Sequence, residues 1–318
     1  MAALPDRPPA RATDLRNVGA GSLAPILEEQ TEAWKRELNW DFSATADLVR
    51  RYVYMQALSG YALICDGLVC GYAYYVYEES KGLIGDLYVL KSHRSVENEN
   101  TLIEACLGAM WKMPGLRRVE SQLMMLTDPL ARSVPYSGWF QSFPRCFLEA
   151  PAVPLPPHGL PRGIEIGCWT ESLQEATGRL ITAAYEGHID GRINDQYRSA
   201  SGARRFLTNI VQYPGCGSFY GPASFAATDG GKLCGVSLAS MVASEVGHIT
   251  QVCVAPSYRS IGLGYELMRN SIWMLKQRGC RAVSLTVTAA NEPALRLYRN
   301  MGFVNKRNFA AYVWEPTA

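Results

Sequence analysis

The chain repeats itself. Setting Arg94 on Arg259, an offset of 165 positions (259 − 94), brings Val89 onto Val254, Ser95 onto Ser260, Val96 onto Ile261 and Leu102 onto Leu267. After a one-residue gap, Asp128-Pro129 falls on Glu292-Pro293, Arg132 on Arg296 and Gly138-Trp139 on Gly302-Phe303. Strand, loop and helix follow in the same order in both halves, so two copies of one α/β fold is the economical expectation. At 318 residues each copy has enough chain for its own core. The run Pro151-Ala152-Val153-Pro154-Leu155-Pro156-Pro157-His158-Gly159-Leu160-Pro161 reads as a stiff, extended connector. The expected division is a loose leader over 1–20, a first domain over 21–150, a linker over 151–162 and a second domain over 163–318.

Hydrophobic periodicity fills in both copies. In the first, helices are expected over Ala24–Leu38 and Ala44–Leu58, and strands over Tyr61–Cys65, Leu68–Tyr77 and Leu83–Leu90. Residues 91–100 read as a loop before a helix over Thr101–Met113. In the second, helices are expected over Glu171–Tyr185 and Ala203–Tyr213, the latter stopped by Pro214-Gly215. Asp229-Gly230-Gly231-Lys232 signals a hairpin, and Gly247–Ala255 a strand.

That last strand runs into the most informative stretch, Val252-Cys253-Val254-Ala255-Pro256-Ser257-Tyr258-Arg259-Ser260-Ile261-Gly262-Leu263-Gly264-Tyr265-Glu266-Leu267. Pro256 ends the ladder, and a basic, glycine-bearing loop then opens directly into a helical pattern. The first amides of a helix have no partner inside it, and the macrodipole adds positive charge there, so this layout suits an anion. Gly262 and Gly264 let the backbone approach a diphosphate, and Arg259 adds fixed charge.

Arg-x-x-Gly-x-Gly after Val-x-Val-x-Pro, followed by Asn291-Glu292-Pro293-Ala294-Leu295-Arg296-Leu297-Tyr298 and then Gly302-Phe303, resembles the acetyl-CoA site of the GNAT acetyltransferase superfamily. The resemblance covers roughly residues 161 to 315, and with the repeat it implies tandem GNAT-like domains, each a mixed, mostly antiparallel sheet flanked by helices. It implies that Val252, Cys253 and Val254 hold the thioester arm by their backbone, that Arg259, Ser260, Ile261, Gly262, Leu263 and Gly264 hold the pyrophosphate, and that Asn291 meets the pantetheine side. A tyrosine at the position of Tyr298 points at the sulfur in the family, so Tyr298 is the implied proton donor to the leaving thiolate. The segment between the first two helices borders the acceptor in this fold, which makes His188, Asp190, Asn194, Asp195 and Tyr197 candidates for binding substrate. Asp and Asn in such a segment also cap helices and close turns.

For the base, strand alternation puts residues 248, 250, 252 and 254 on one face, so His248 would look along the thioester groove. Some family members carry a glutamate there. A satisfied, partly buried histidine is the competing reading of His248, and Glu245 is a weaker substitute.

The two copies differ where it matters. Glu97 and Glu99 stand where Gly262 and Gly264 are, Thr127 where Asn291 is, and Val134 where Tyr298 is. The first copy is therefore expected to be a degenerate domain without a working CoA loop.

The expected activity is acetyl-CoA-dependent transfer to a primary amine of a small molecule or peptide, with no metal. A non-catalytic acyl-CoA-binding or sensing module is the alternative, and an aminoacyl-tRNA-dependent transferase a more distant one. A net charge of +2 without a Lys/Arg block gives no sign of a nucleic-acid or membrane partner. Nine scattered cysteines without Cys-x-x-Cys argue against a metal or disulfide framework and for a reducing compartment. The early Asp6 and prolines do not make a signal peptide, and no stretch is long and apolar enough for a membrane span, so the expected location is the cytoplasm.

Overall fold

A computed structural model describes residues 10–78, 80–213 and 215–316. Residues 1–9 of the expected leader, and Pro214 as the expected helix stop, lie outside the described residues. The chain divides into two compact units. One contains residues up to Arg36, Phe42–Pro144 and the chain from Asn308 onward; the other contains Glu37–Asp41 and Arg145–Arg307.

The first unit opens with β1 (Arg11–Asp14), then α1 (Ala24–Leu38), α2 (Ser43–Tyr54), β2 (Gly60–Cys65), β3 (Leu68–Glu78), β4 (Lys81–Val89), α3 (Val96–Met110) and β5 (Arg118–Gln122). The chain continues through β6 (Phe140–Pro151), β7 (Ile164–Cys168), α4 (Gln174–Tyr185), α5 (Asp190–Ile193), α6 (Ala200–Gln212), β8 (Ser218–Phe219), β9 (Phe225–Asp229), β10 (Lys232–Ala243), β11 (Val246–Val254), α7 (Leu263–Gln277), β12 (Ala282–Thr288), α8 (Glu292–Asn300) and β13 (Val304–Trp314). In the first unit the sheet runs β1-β2-β3-β4-β5 and is closed by the end of β13, whose Ala311–Trp314 pair antiparallel with β5. In the second it runs β7-β9-β10-β11-β12 and is closed by the end of β6, whose residues 145–151 pair antiparallel with β12. In both units one parallel pair interrupts an antiparallel sheet: β4 with β5, and β11 with β12.

The repeat is visible in packing as well as in order. The buried residues Leu102, Ile103, Cys106, Leu107 and Met110 of α3 correspond, at the offset of 165, to the buried Leu267, Met268, Ser271, Ile272 and Leu275 of α7. Two-residue hairpin turns with positive φ fall at Asp66-Gly67 and Gly230-Gly231. The register of β3 with β4 shifts at Gly85, and that of β10 with β11 shifts at Thr250, again 165 residues on.

Several sequence expectations are corrected. Residues 10–20, expected in a loose leader, belong to the first unit: β1 pairs with β2 and Leu15 is buried. Four residues are too few to show a strand period. The units change over at Pro144/Arg145 rather than in the 151–162 run, and 308–316 return to the first unit, because which sheet a terminal strand joins is decided by tertiary pairing. Helix α3 begins at Val96, not Thr101. Ser95 caps it by accepting from the Asn98 amide at 3.1 Å, so the polar run Glu97-Asn98-Glu99-Asn100 is its first turn.

Among the described residues no helix is long and apolar enough to cross a membrane.

Candidate active site

Helix α7 is built to leave its N-terminus open. At its far end Gly279, at φ 101°, closes a Schellman pattern in which Cys280 N–H donates to Leu275 O and Gly279 N–H to Lys276 O. At the near end the cap is Gly262 at φ 84°, with no side chain to satisfy the first turn. The first backbone bond of the helix is Glu266 N–H to Gly262 O. Among the described residues the amides of 260–265 find no acceptor in the protein.

Those amides border a cavity of about 520 Å³. Its walls are Val252, Cys253 and Val254 of β11, the loop residues Arg259, Ser260, Gly262, Leu263 and Gly264, and Asn291, Ala294 and Leu297 at the start of α8. The cavity exists because β11 and β12 pair only over Val246–Ile249, after which the two parallel strands part. Beyond Ile249 the β12-facing edge of β11 therefore has no strand on it, though the Val252 carbonyl accepts from the Tyr185 hydroxyl at 3.5 Å. Arg259 lines the cavity and donates to the Ala184 carbonyl at 2.6 Å, tying the loop to the last turn of α4. Ile261 does not line the cavity and packs instead against the buried cluster of Ala227, Cys234, Leu263 and Leu267. Asn291 accepts from the Ala294 amide at 3.3 Å and so caps α8 while facing the cavity.

The connector runs over this loop. Tyr265 donates its hydroxyl to Pro156 O at 2.8 Å, the Glu266 carboxylate accepts from the His158 amide, and a Cβ on Gly262 would stand 1.9 Å from His158 Cδ2. Gly262 thus needs to be glycine twice over, for its φ and for the histidine beside it.

The same place in the first unit is filled. Glu99, at the register of Gly264, buries its carboxylate against the Arg132 guanidinium, both side chains 1% exposed. It also accepts from the Thr127 amide at 3.1 Å and hydroxyl at 3.0 Å, and Arg132 is held further by Asn100 at 2.7 Å. The Glu99 carboxylate is neutralised within the unit and fills this place with its own ion pair, which differs from the repulsion expected of Glu99; Glu97, in the same first turn, is exposed.

The model of the Acetyltransferase (GNAT) family matches residues 177–303. Residues 177–303 form a GNAT-family acetyltransferase domain. The mycothiol acetyltransferase of Thermomonospora curvata is 37% identical over 86 residues, which is 27% of this chain and 29% of that protein. The [ribosomal protein bS18]-alanine N-acetyltransferase of Escherichia coli is 32% identical over 80 residues, 25% of this chain and 53% of that protein. The chain thus spans only 29% and 53% of the length of these two curated relatives. Two solved structures cover nearly the whole chain: a GCN5-related N-acetyltransferase from Sphaerobacter thermophilus (TM-score 0.64, 20% identity, 99% of this chain and 98% of that one) and a tandem GNAT protein from the clavulanic acid biosynthesis pathway (TM-score 0.64, 15% identity, 98% and 100%). These give the whole chain a GNAT-type fold.

In the GNAT domain the sequence candidates separate into those that meet and those that do not. His248 does not reach the cavity. It is 5% exposed, stacked on Phe147 and beside Trp40, with Nδ1 2.9 Å from Ser284 Oγ, and burial pushes its pKa down to about 3. The cause is the bulge at Thr250: His248, Gln251 and Cys253 lie opposite Ser240, Leu238 and Val236 on one face, while Val252 and Val254 lie on the other. Alternation counted through the bulge wrongly set His248 on the face of Val252 and Val254; it shares the face of Gln251 and Cys253 but is closed off there by Phe147, Trp40 and Ser284. Glu245 is paired with Arg281 in solvent at 2.5 Å. Asn194 accepts from the Gln196 amide as a turn cap; neither it nor Asp195 lines the cavity.

Four candidates do come together. His188 lines the cavity, and its Nδ1 lies 3.2 Å from the Asp190 amide and 3.5 Å from the Asp190 carboxylate. Asp190 accepts a hydrogen bond from Thr288 and has Arg145 at 4.0 Å. Tyr197 stacks on Tyr185 with centroids 4.5 Å apart. Tyr298, like Asp190 and Tyr197, does not itself line the cofactor cavity; it packs on Phe303 close enough to feel the Asp190 charge, its hydroxyl has no partner among the described residues, and burial, then that charge, push its pKa up to about 12.

Tyr185 and Gln251 were missed. Gln251 donates to the Tyr185 hydroxyl at 3.0 Å and accepts from Tyr197 at 3.3 Å, forming a polar floor beside Val252. Nothing in the sequence distinguishes Gln251 from a surface strand residue until the bulge is known. Cys253 lines the cavity, but burial pushes its thiol up to about 12, so it stays protonated and is a wall rather than a nucleophile.

Proposed function

We propose that the chain is an acetyl-CoA-dependent N-acetyltransferase in which the second unit carries the reaction and the first does not bind the nucleotide. The observation that carries this reading is the open N-terminus of α7: unpaired amides over 260–265, a glycine cap at φ 84° and a cavity of about 520 Å³ in front of them.

The residues present fit the group. The amides and Arg259 suit a diphosphate, with the helix end worth about 0.3–2 kcal/mol toward an anion. The edge of β11 at Val252 and Val254, which carries no strand and at Val252 only a long 3.5 Å contact from Tyr185, suits an extended arm added like a strand. When bound, acetyl-CoA supplies the activated acetyl thioester, as it does across the GNAT family. Tyr298 is the donor to the departing sulfur: at a pKa of about 12 it is protonated throughout the working range, and because a thiolate's conjugate acid lies at ~8.5 the proton passes as the C–S bond breaks with the hydroxyl held in contact.

The amine must lose a proton, and the residues facing it are His188 and Asp190. While Nδ1 of His188 accepts the Asp190 amide, the neutral ring keeps its proton on Nε2 and is a donor. When Nδ1–H instead faces the Asp190 carboxylate, 3.5 Å away, Nε2 carries the lone pair and becomes the base. The experiment is release of CoA over an amine panel, with acetyl-CoA binding followed by calorimetry. Amine-dependent release supports an enzyme. Tight binding with no release from any amine supports a sensing module.

A further inference from the structure

We propose that the acceptor is a small amine bearing an anionic group, carboxylate or phosphate, lodged in a second cavity beside the first. This rests on the acetyltransferase reading above and names its substrate class. The second cavity, about 740 Å³, lies between α4, α5 and α6 and shares Tyr185 and His188 with the cofactor cavity. Its size is that of a small-molecule site.

The charges in the second cavity are asymmetric. Its wall carries Arg179, Arg192 and Arg198 against one carboxylate, Glu186, and Arg192 has a partner of its own. Arg179 is ion-paired with Glu175 at 3.0 Å in solvent and contributes little. Arg198 is exposed as well, but it is anchored and, among the described residues, not ion-paired. Its Nε donates to Gly191 O at 2.6 Å, which fixes the guanidinium plane, and among the described residues its Nη atoms have no partner. A fixed fork with free Nη groups matches a carboxylate or a phosphate.

At the shared end the sign is reversed. Asp190 stands behind His188 and attracts an ammonium before its proton leaves. The stacked rings of Tyr185 and Tyr197 give an apolar wall for a short chain. An acceptor with a cationic amine at one end and an anion at the other satisfies both ends, whereas a diamine sets its second cation against Arg198.

The test compares 3-aminopropanoate, 2-aminoethyl phosphate, propylamine and 1,3-diaminopropane at saturating acetyl-CoA, with acetylated product measured by mass spectrometry. At least one anionic amine should exceed propylamine by about tenfold in kcat/KM, equivalent to about 1.4 kcal/mol, and the diamine should be poorest; which anion leads separates carboxylate from phosphate. Arg198→Met should bring the anionic amines to within about threefold of propylamine with acetyl-CoA affinity unchanged. Arg198→Glu should turn the preference toward the diamine, a gain that a misfolded variant cannot produce. Preference for propylamine or the diamine in the unaltered protein, a preference surviving in Arg198→Met, or no product from any of the four by a chain that binds acetyl-CoA would each overturn the proposal. Failure to bind acetyl-CoA would overturn the cofactor reading instead.

Discussion

Gly264 separates what α7 needs from what its ligand needs. A Cβ there would meet Leu297 Cδ2 at 3.6 Å and Val254 Cγ2 at 3.7 Å, ordinary contacts, and Gly264 is not among the positive-φ residues. The fold therefore accepts Gly264→Ala, and removing a helical glycine stabilises by up to about 1 kcal/mol. Leu297 and Val254 both line the cofactor cavity, so the same methyl projects into the space the diphosphate would use. Losing one charge-assisted bond costs about 1.5–3 kcal/mol, or roughly tenfold to a hundredfold in Kd. Gly264→Glu adds repulsion of about 3 kcal/mol per phosphate charge at ~5 Å and an effective dielectric near 20. It also imports the residue that the first unit carries at this register, Glu99. Calorimetric titration with acetyl-CoA, paired with thermal unfolding, reads both effects. Expected are an unchanged or slightly raised Tm for Gly264→Ala, binding weakened at least tenfold, and binding lost in Gly264→Glu. Affinities within twofold of the parent in both variants would refute the placement of the diphosphate. Gly262→Ala is the contrast: with φ 84° and His158 Cδ2 1.9 Å from its Cβ, it should lose stability and binding together.

Tyr298→Phe should lower kcat about 10²-fold while acetyl-CoA affinity stays within twofold; a parallel loss of both, measured by steady-state kinetics and calorimetry, would remove its role as proton donor. His188→Gln should act mainly on kcat rather than KM, and a pure KM effect would make it a binding residue only. His248 is buried neutral, with a pKa of about 3 against 6.5 ordinarily, so the unfolded chain takes up the proton first. Its contribution is whole above pH 6.5 and shrinks as pH falls toward 3, by about 2 kcal/mol at pH 5. His248→Phe should flatten that part of the pH dependence of urea unfolding and keep full activity; a hundredfold loss of kcat would restore His248 as the base. Glu99→Ala should destabilise the first unit by about 3–5 kcal/mol, since Arg132 is left buried and unpaired, and chemical unfolding that shows less than 1 kcal/mol would contradict the burial of that ion pair.

The repeated order of elements and the strand, loop and helix of Val252–Leu267 were legible because they are local or repeated. Val252–Leu267 carries its own strand, breaker, glycines and helix, and the offset of 165 holds through buried positions of α3 and α7. The hairpin turns at Asp66-Gly67 and Gly230-Gly231 demand particular residues. What could not be read was tertiary. The bulge at Thr250 has no sequence mark, yet it takes His248 off the face of Val252 and Val254 and brings Gln251 beneath Tyr185, while Phe147 and Trp40 close over His248. The closing of each sheet by β6 or β13 depends on which edge is free, not on the strands' own composition. Arg259 was expected to serve the ligand, but part of its guanidinium holds the Ala184 carbonyl. His158 gave no signal from within a proline-rich connector, because its place beside Gly262 comes from the Tyr265 and Glu266 bonds that hold that connector.

The central claim is that one unit is open to a diphosphate and the other is closed by its own Glu99–Arg132 pair. The number of acetyl-CoA molecules bound per chain, measured by calorimetry on the unaltered protein, tests it most directly. One equivalent is predicted; two would mean that the first unit also binds, and none would mean that the open end of α7 serves something else.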